Sequence, residues 1–271
     1  MTTISRKQQF IAYVRQLPGG VLLTFIIRQA WAALFGGLLL SAIIVTNYVE
    51  LPYLARYDWL FVIALLIQAS MLLFRLEQPR EVVTILIFHL VGLAMELFKT
   101  SSGIGSWSYP EENTIRLGTV PLFSGFMYAA VGSYIARAWR VLSLRFTHYP
   151  PRVWTILLGI VIYGNFFSHH YLPDVRILLF AAIGVLFWRT RVYYTLNLRE
   201  HSMPILIGFL LIAFFIWIAE NIGTYTHTWL YPSQSQIWHI VSFDKLGAWL
   251  LLMIISFIMI DCLNYLRTRR S

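Results

Sequence analysis

The sequence is poor in charge, in lysine and in cysteine. Charged side chains make up 12% of its 271 residues, about half the share of an average soluble domain. So little charge cannot cover the apolar surface of a soluble domain of this size. A single cysteine, Cys262, excludes an internal disulfide and any CxxC or zinc-finger-type cluster. Only three of the 21 bases are lysine. The arginines punctuate apolar runs instead of gathering on one face, so the net charge of +9 does not point to nucleic acid. Phosphate-cradling loops, a nucleophile elbow and nucleotide fingerprints are missing, and Gly103-Ile-Gly105 lacks the strand and helix that a dinucleotide turn requires. HExxH and repeated ExxH or HxxxH patterns are missing too, so no metal centre is assigned and the cofactor stays unknown. Residues 1–29 hold Arg6, Lys7, Arg15 and Arg28 without the apolar core and small-residue site of a signal peptide.

What the chain does have is apolar length. Hydrophobic residues reach 58%, aromatics 16%, and the mean hydropathy is +0.67. A spanning helix needs about 20 apolar residues at about 1.5 Å each. Eight uncharged runs are candidates: Trp31–Val49, Trp59–Phe74, Val82–Phe98, Val120–Ala136, Val153–Tyr171, Ile177–Trp188, Pro204–Ala219 and Leu246–Ile260. The fold predicted is an all-α polytopic membrane bundle of about eight helices.

Several runs are short. Only 14 uncharged residues separate Glu81 from Glu96, so that helix has to continue through Glu96. Pro204 suits a first helical position, and a helix starting there carries Glu220 in its last turns. Ile177–Trp188 has 12 residues, so Arg176 or Arg189 is drawn in and snorkels. Phe10, Val14 and Leu17 recur at helical spacing ahead of Pro18-Gly19-Gly20. They read either as an amphipathic helix lying on the membrane or as a disordered basic tail. Counting bases in alternate connections gives 16 against 5, which places both termini in the cytoplasm of a cell-membrane protein.

A signature occurs twice. Glu96 is followed by Gly105-Ser-Trp107-Ser-Tyr109-Pro110, and Glu220-Asn-Ile-Gly223 by Trp229-Leu-Tyr231-Pro232. Glutamate and tryptophan are 11 residues apart in one copy and 9 in the other, and an Arg-Glu pair (Arg80-Glu81, Arg199-Glu200) precedes each. Four spans separate the copies, which predicts a parallel 4+4 repeat about an axis along the membrane normal. The chain then divides into a basic segment 1–29, repeats 30–140 and 141–263, and a basic tail 264–271.

Ionisable groups at membrane depth are functional candidates by default. Glu96 and Glu220 are the proposed acid and base, with His89 (seven residues before Glu96, on the same helical face) and His227 as relays. Trp107, Tyr109, Trp229, Tyr231, His169, His170 and Asp244 are candidate substrate contacts, and His239 and Asp174 lie in the same connections. For both glutamates the alternative is a carboxylate that fixes its neighbouring loop by accepting from Trp or Tyr. Trp-x-Tyr places both rings on one side of an extended segment, and Pro keeps helix from forming there.

The two Glu … Trp-x-Tyr-Pro strings and Gly118-Thr-Val-Pro121-Leu resemble a bacterial integral-membrane family known as YoaT-like, a domain of unknown function, over nearly the whole chain. That resemblance implies a multi-pass inner-membrane protein and brings no activity or catalytic residues. A fainter similarity is to membrane carotenoid hydratases and cyclases, which join membrane-embedded acids to a Gly-x-Tyr-x-Tyr-like string and a Gly-Val-Pro-like turn. Here the string is Trp-x-Tyr-Pro and Thr119 separates Gly118 from Val120, so no residue role is carried across. The leading expectation is a membrane-embedded acid–base enzyme or binder of a lipophilic, isoprenoid-like molecule, partnered by the lipid bilayer. The competing one is a transporter or channel for a small solute or cation.

Overall fold

The computed structural model describes residues 19–196 and 199–268. The basic N-terminal amphipathic stretch around Phe10, Val14 and Leu17 lies outside the described residues. Each of the eight uncharged runs holds the greater part of a helix, and among the described residues one more helix precedes them. In chain order the helices are α1 (Gly20–Ala32), α2 (Leu34–Tyr48), α3 (Arg56–Leu73), α4 (Pro79–Lys99), α5 (Ser124–Val141), α6 (Arg152–Ser168), α7 (Arg176–Phe187), α8 (Ile205–Tyr225) and α9 (Asp244–Thr268).

Four of these, α3, α4, α8 and α9, are long and apolar enough to cross a membrane, and five crossings result if the bent pair α1–α2 is one span. The physical reason for the shortfall from eight is visible in the others. Helix α6 has 17 residues and α7 has 12, about 18 Å of helix for the latter. Helix α5 carries Arg137 and Arg140 in its last two turns. Outward faces are nonetheless apolar: Leu66, Leu86, Leu90, Ile160, Val185 and Phe215 are all exposed on their helices. Such faces fit a bilayer better than water.

Two elements depart from the sequence reading. Residues 20–29, read from sequence as part of the basic N-terminal segment, form most of helix α1, which Gly19 opens in the left-handed region (φ 79°). Arg28 interrupts the apolar run and so hid this helix; its guanidinium donates to the Val141 and Thr195 carbonyls. Helices α1 and α2 bend by 72° at Ala33. The buried Arg137 guanidinium donates to the Trp31 carbonyl beside this bend (2.7 Å) and to the Leu76 carbonyl (2.9 Å). Insertion of a side chain of this kind is a recognised cause of sharp kinks.

The second departure is a three-stranded antiparallel sheet, β3 (Arg145–Thr147), β4 (Arg191–Leu196) and β5 (Arg199–Pro204), in that order. Val192 faces Phe146 on one side and Met203 on the other. An Arg145–Glu200 ion pair links its outer strands. Pro204 closes β5 and is the N-cap residue of α8, whose start at Ile205 is one residue later than expected from sequence. The short pair β1 (Arg116–Leu117) and β2 (Val120–Pro121) turns at Gly118 (φ 60°).

Packing is between like-placed helices. Helix α4 lies along α5 and α8 along α9; α2 meets α3 and α5, while α6 meets α7 and α9; α5 and α9 touch each other. The α4–α5 contact is tight because glycines receive rings. A Cβ on Gly92 would stand 2.6 Å from the Tyr128 ring, one on Gly125 would stand 2.5 Å from His89, and one on Gly132 would stand 2.7 Å from Phe88. Small residues let membrane helices approach in this way.

Candidate functional site

The two signature strings meet at the end of the bundle opposite the sheet. Helix α4 ends at Lys99, and Gly105 (φ 56°) reverses the chain, with the Gly105 amide bonded to the Ser101 carbonyl and the Ser106 amide to the Lys99 carbonyl. At the end of α8 the left-handed residue is His227 (φ 55°), and the Thr228 amide reaches back to the Gly223 carbonyl, a helix-ending turn usually given to glycine. Trp107-Ser-Tyr109 and Trp229-Leu-Tyr231 then run antiparallel, Ser108 and Leu230 exchanging both amide-to-carbonyl bonds at 2.9 Å. The middle residues of the repeated strings therefore face each other.

Each string is held by its own glutamate. Glu96 is 2% exposed; its Oε2 accepts from the Trp107 indole (2.8 Å) and the Tyr109 hydroxyl (2.8 Å), and its Oε1 from the Tyr128 hydroxyl of α5 (2.7 Å). Glu220 is 5% exposed; its Oε1 accepts from the Trp229 indole (2.8 Å) and the Tyr231 hydroxyl (2.7 Å). Gly223 is required by the second copy, because a Cβ there would fall inside the Trp229 indole. Both tyrosines stay protonated: burial, and behind it the charge of the bound glutamate, pushes Tyr109 and Tyr231 far above the usual phenol range. The two carboxylates lie within electrostatic reach of each other. The Trp107 ring meets Tyr231 edge-on at 6.4 Å, so each string also packs on the other's aromatics.

The start of α3 ties both connections together, and the sequence reading passed over it. Asp58 is buried and accepts from the Thr114 (3.0 Å) and Ile115 (2.8 Å) amides. Arg56 pairs with Glu111 (2.6 Å) and donates to the Thr226 carbonyl and Thr228 hydroxyl. The Tyr57 hydroxyl donates to the Thr228 carbonyl (2.8 Å). The available signal was three consecutive polar or charged residues opening an apolar run, which periodicity treats as a flank.

Beside the strings lies an open cavity of about 320 Å³ lined by Ser106, Tyr231, Gln234, His239, Ser242 and Lys245 among others. The Lys245 ammonium stands 4.2 Å from the centre of the Tyr231 ring, the arrangement of a cation over an aromatic face. His239 is exposed at the rim, its ring nitrogens against the Ser233 and Ile240 carbonyls at 3.1 Å. A second cluster joins α4 to the α6–α7 connection. The buried Lys99 ammonium donates to His170 Nε2 (2.8 Å) and His169 Nε2 (3.4 Å), and His169 Nδ1–H donates to the Asn165 carbonyl (2.7 Å). Burial, and behind it the Lys99 charge, lowers His170; the same two causes lower His169, with the Asn165 carbonyl opposing.

Other residues expected at the site stand apart from the acids. His89 packs on Gly125 and on the Phe126 ring (4.5 Å), and its Nδ1 has no hydrogen-bond partner among the described residues. His227 is exposed and serves the helix-ending turn. Asp244 is exposed and opens α9, accepting from the Ser242 hydroxyl (3.2 Å). Among the described residues no three His, Cys, Asp or Glu side chains gather as a metal-holding group.

Comparison with known proteins fits the resemblance read from the strings. A family model described as "Protein of unknown function (DUF817)" matches residues 21–257. The uncharacterized protein YoaT of Bacillus subtilis (strain 168) is 43% identical over 240 residues, 89% of this chain and 90% of the relative. Among solved structures, a cross-linked trimer of MvINS matches with a TM-score of 0.47 and 13% identity, over 69% of this chain and 95% of that one.

Proposed function

This chain belongs to the DUF817 family, and from its own geometry we propose that it is a membrane-embedded binding protein for a lipophilic molecule with an anionic head. The observation that carries this reading is the cavity of about 320 Å³ beside the paired strings, with Lys245 as its cation and Ser106, Gln234 and Ser242 as its polar lining. Among the described residues no carboxylate forms an ion pair with Lys245. Exposed Ile240 and Phe243 flank the lining and offer an apolar path for a tail. In this reading Tyr231 is the aromatic wall of the cavity, and Glu220 holds it there, while Glu96 holds Trp107 and Tyr109 in the facing string.

Three broader expectations belong to the same proposal. Helices α2–α5 and α6–α9 cross or enter the membrane as a 4+4 repeat, supported by the matching helix pairings in the two halves and by the Ser108–Leu230 exchange. The membrane is the cell membrane with both termini in the cytoplasm, supported by the 16-to-5 division of bases. Acid–base chemistry at the same place is the second reading. It is favoured by one asymmetry: both hydrogen bonds to Glu220 fall on Oε1, leaving Oε2 to meet a ligand.

Mass spectrometry of whatever co-purifies in mild detergent tests the binding reading. Wild-type protein should carry an anionic amphiphile in near-stoichiometric amount, and Lys245→Met, eluting as the same monodisperse species, should carry at least fivefold less. Identical lipid content in the two would overturn it.

A further inference from the structure

Lys99 is a buried cation without a counter-charge. It is 5% exposed, and among the described residues no Asp or Glu pairs with it. Its recorded side-chain partners are two imidazole nitrogens, which use two of three ammonium hydrogens. The neighbouring charges add to the imbalance. Two further cations, Lys245 and Arg176, lie within electrostatic reach of Lys99, with Asp174 as the acid beside them. Asp174 is already engaged, by Arg176 (2.9 Å), by the Asn165 amide (3.1 Å) and by the Arg176 backbone. Glu220, the acid near Lys245, is bound to its own Trp and Tyr. A buried charge left unpaired is costly.

The cluster is also reachable. His170 is exposed and Arg176 and His169 are half-buried, and the two imidazoles sit on the buried ammonium. Sequence alone hid this convergence: of the five bases in the less basic set of connections, Arg56, Lys99, Arg116, Arg176 and Lys245, three gather here from the ends of α4, α7 and α9. Lysine acts on phosphate as a point charge, and a helix end stands at the depth of lipid phosphates.

We infer that Lys99, with His169, His170 and Arg176 around it, is a binding site for a phosphate group, supplied by a lipid headgroup or as free phosphate. Lys99, His169, His170 and Arg176 are not in the lining of the Lys245 cavity, although Lys245 is within electrostatic reach of Lys99, so the phosphate site does not rest on that reading.

The test uses the full chain in a phosphate-free maltoside detergent at constant ionic strength. Thermal unfolding is followed while inorganic phosphate, or a soluble short-chain phosphatidic acid, is titrated. The midpoint should rise saturably with one or both probes. A response to inorganic phosphate assigns the site to the free anion; a response only to the phosphatidic acid assigns it to a headgroup. Lys99→Met should need at least tenfold more of the effective probe, and Lys99→Arg should stay within threefold of wild type. Should Lys99→Met not fold, nitrogen-15 spectra of the wild-type imidazoles decide, because His169 and His170 should shift on titration while His89 does not. No saturable response in the wild type, an undiminished response in a folded Lys99→Met, or unmoved His169 and His170 would overturn the inference.

Discussion

At the scale of single residues, the two glutamates differ more than their shared motif suggests. Glu96 spreads three donors over both oxygens, whereas Glu220 takes two donors on one. A glutamine can present one acceptor but not two. Glu96→Gln therefore sets an amide N–H₂ against either the Trp107 and Tyr109 donors or the Tyr128 hydroxyl, and should cost about 2–3 kcal/mol, the range for hydrogen bonds to a charged group. Glu220→Gln can keep its single acceptor where both donors point and should cost about 1 kcal/mol. Unfolding midpoints in detergent, followed by tryptophan fluorescence, give the comparison; equal losses would contradict the asymmetry. The sequence showed the glutamates, tryptophans and tyrosines of the strings because they recur at near-equal spacing. Tyr128 and Lys99 carried no such mark, since their partners are 32 and about 70 residues away, and separations like these are set by helix packing alone.

At the scale of elements, helix positions were legible because uninterrupted apolar runs are what a bilayer-exposed helix needs. Legibility failed where that signal is broken or replaced. Arg28 cut α1 out of its run, and the Val192–Leu196 alternation of a half-buried strand lay in a connection that hydropathy passes over. The glycines were legible as small residues, but not as sockets. Gly92 separates these cases: its absent Cβ makes room for the Tyr128 ring at 2.6 Å. Gly92→Ala should push Tyr128 from Glu96 and cost about 1–3 kcal/mol, the usual penalty of overpacking. A Cβ on Gly37 would meet nothing within 4 Å among the described residues, so Gly37→Ala should be neutral or slightly stabilising. Chemical denaturation of the two variants beside wild type measures the difference, and a Gly92→Ala as stable as Gly37→Ala would show that the α4–α5 contact is looser than described.

At the scale of the molecule, the bundle is fastened differently at its two ends. The sheet and the Arg137 contacts at the α1–α2 bend close one end; the paired strings, with Arg56, Tyr57 and Asp58 binding both connections, close the other. The cavity and the Lys99 cluster both lie at the second end, and the cavity, lined by Ser106 and Tyr231 of the two strings, has a support of its own. That support is the antiparallel exchange between Ser108 and Leu230, a hydrogen-bonded pair whose Cα atoms should be about 5.5 Å apart, within the range a disulfide spans. In a Cys262→Ser background, Ser108→Cys combined with Leu230→Cys should form an intramolecular disulfide in isolated membranes under mild oxidation, read as a shift in gel mobility after partial proteolysis. Ser108→Cys combined with Ile237→Cys should not. Equal cross-linking of the two pairs, or none in the first, would mean that the strings do not meet and that the site built on their meeting is absent.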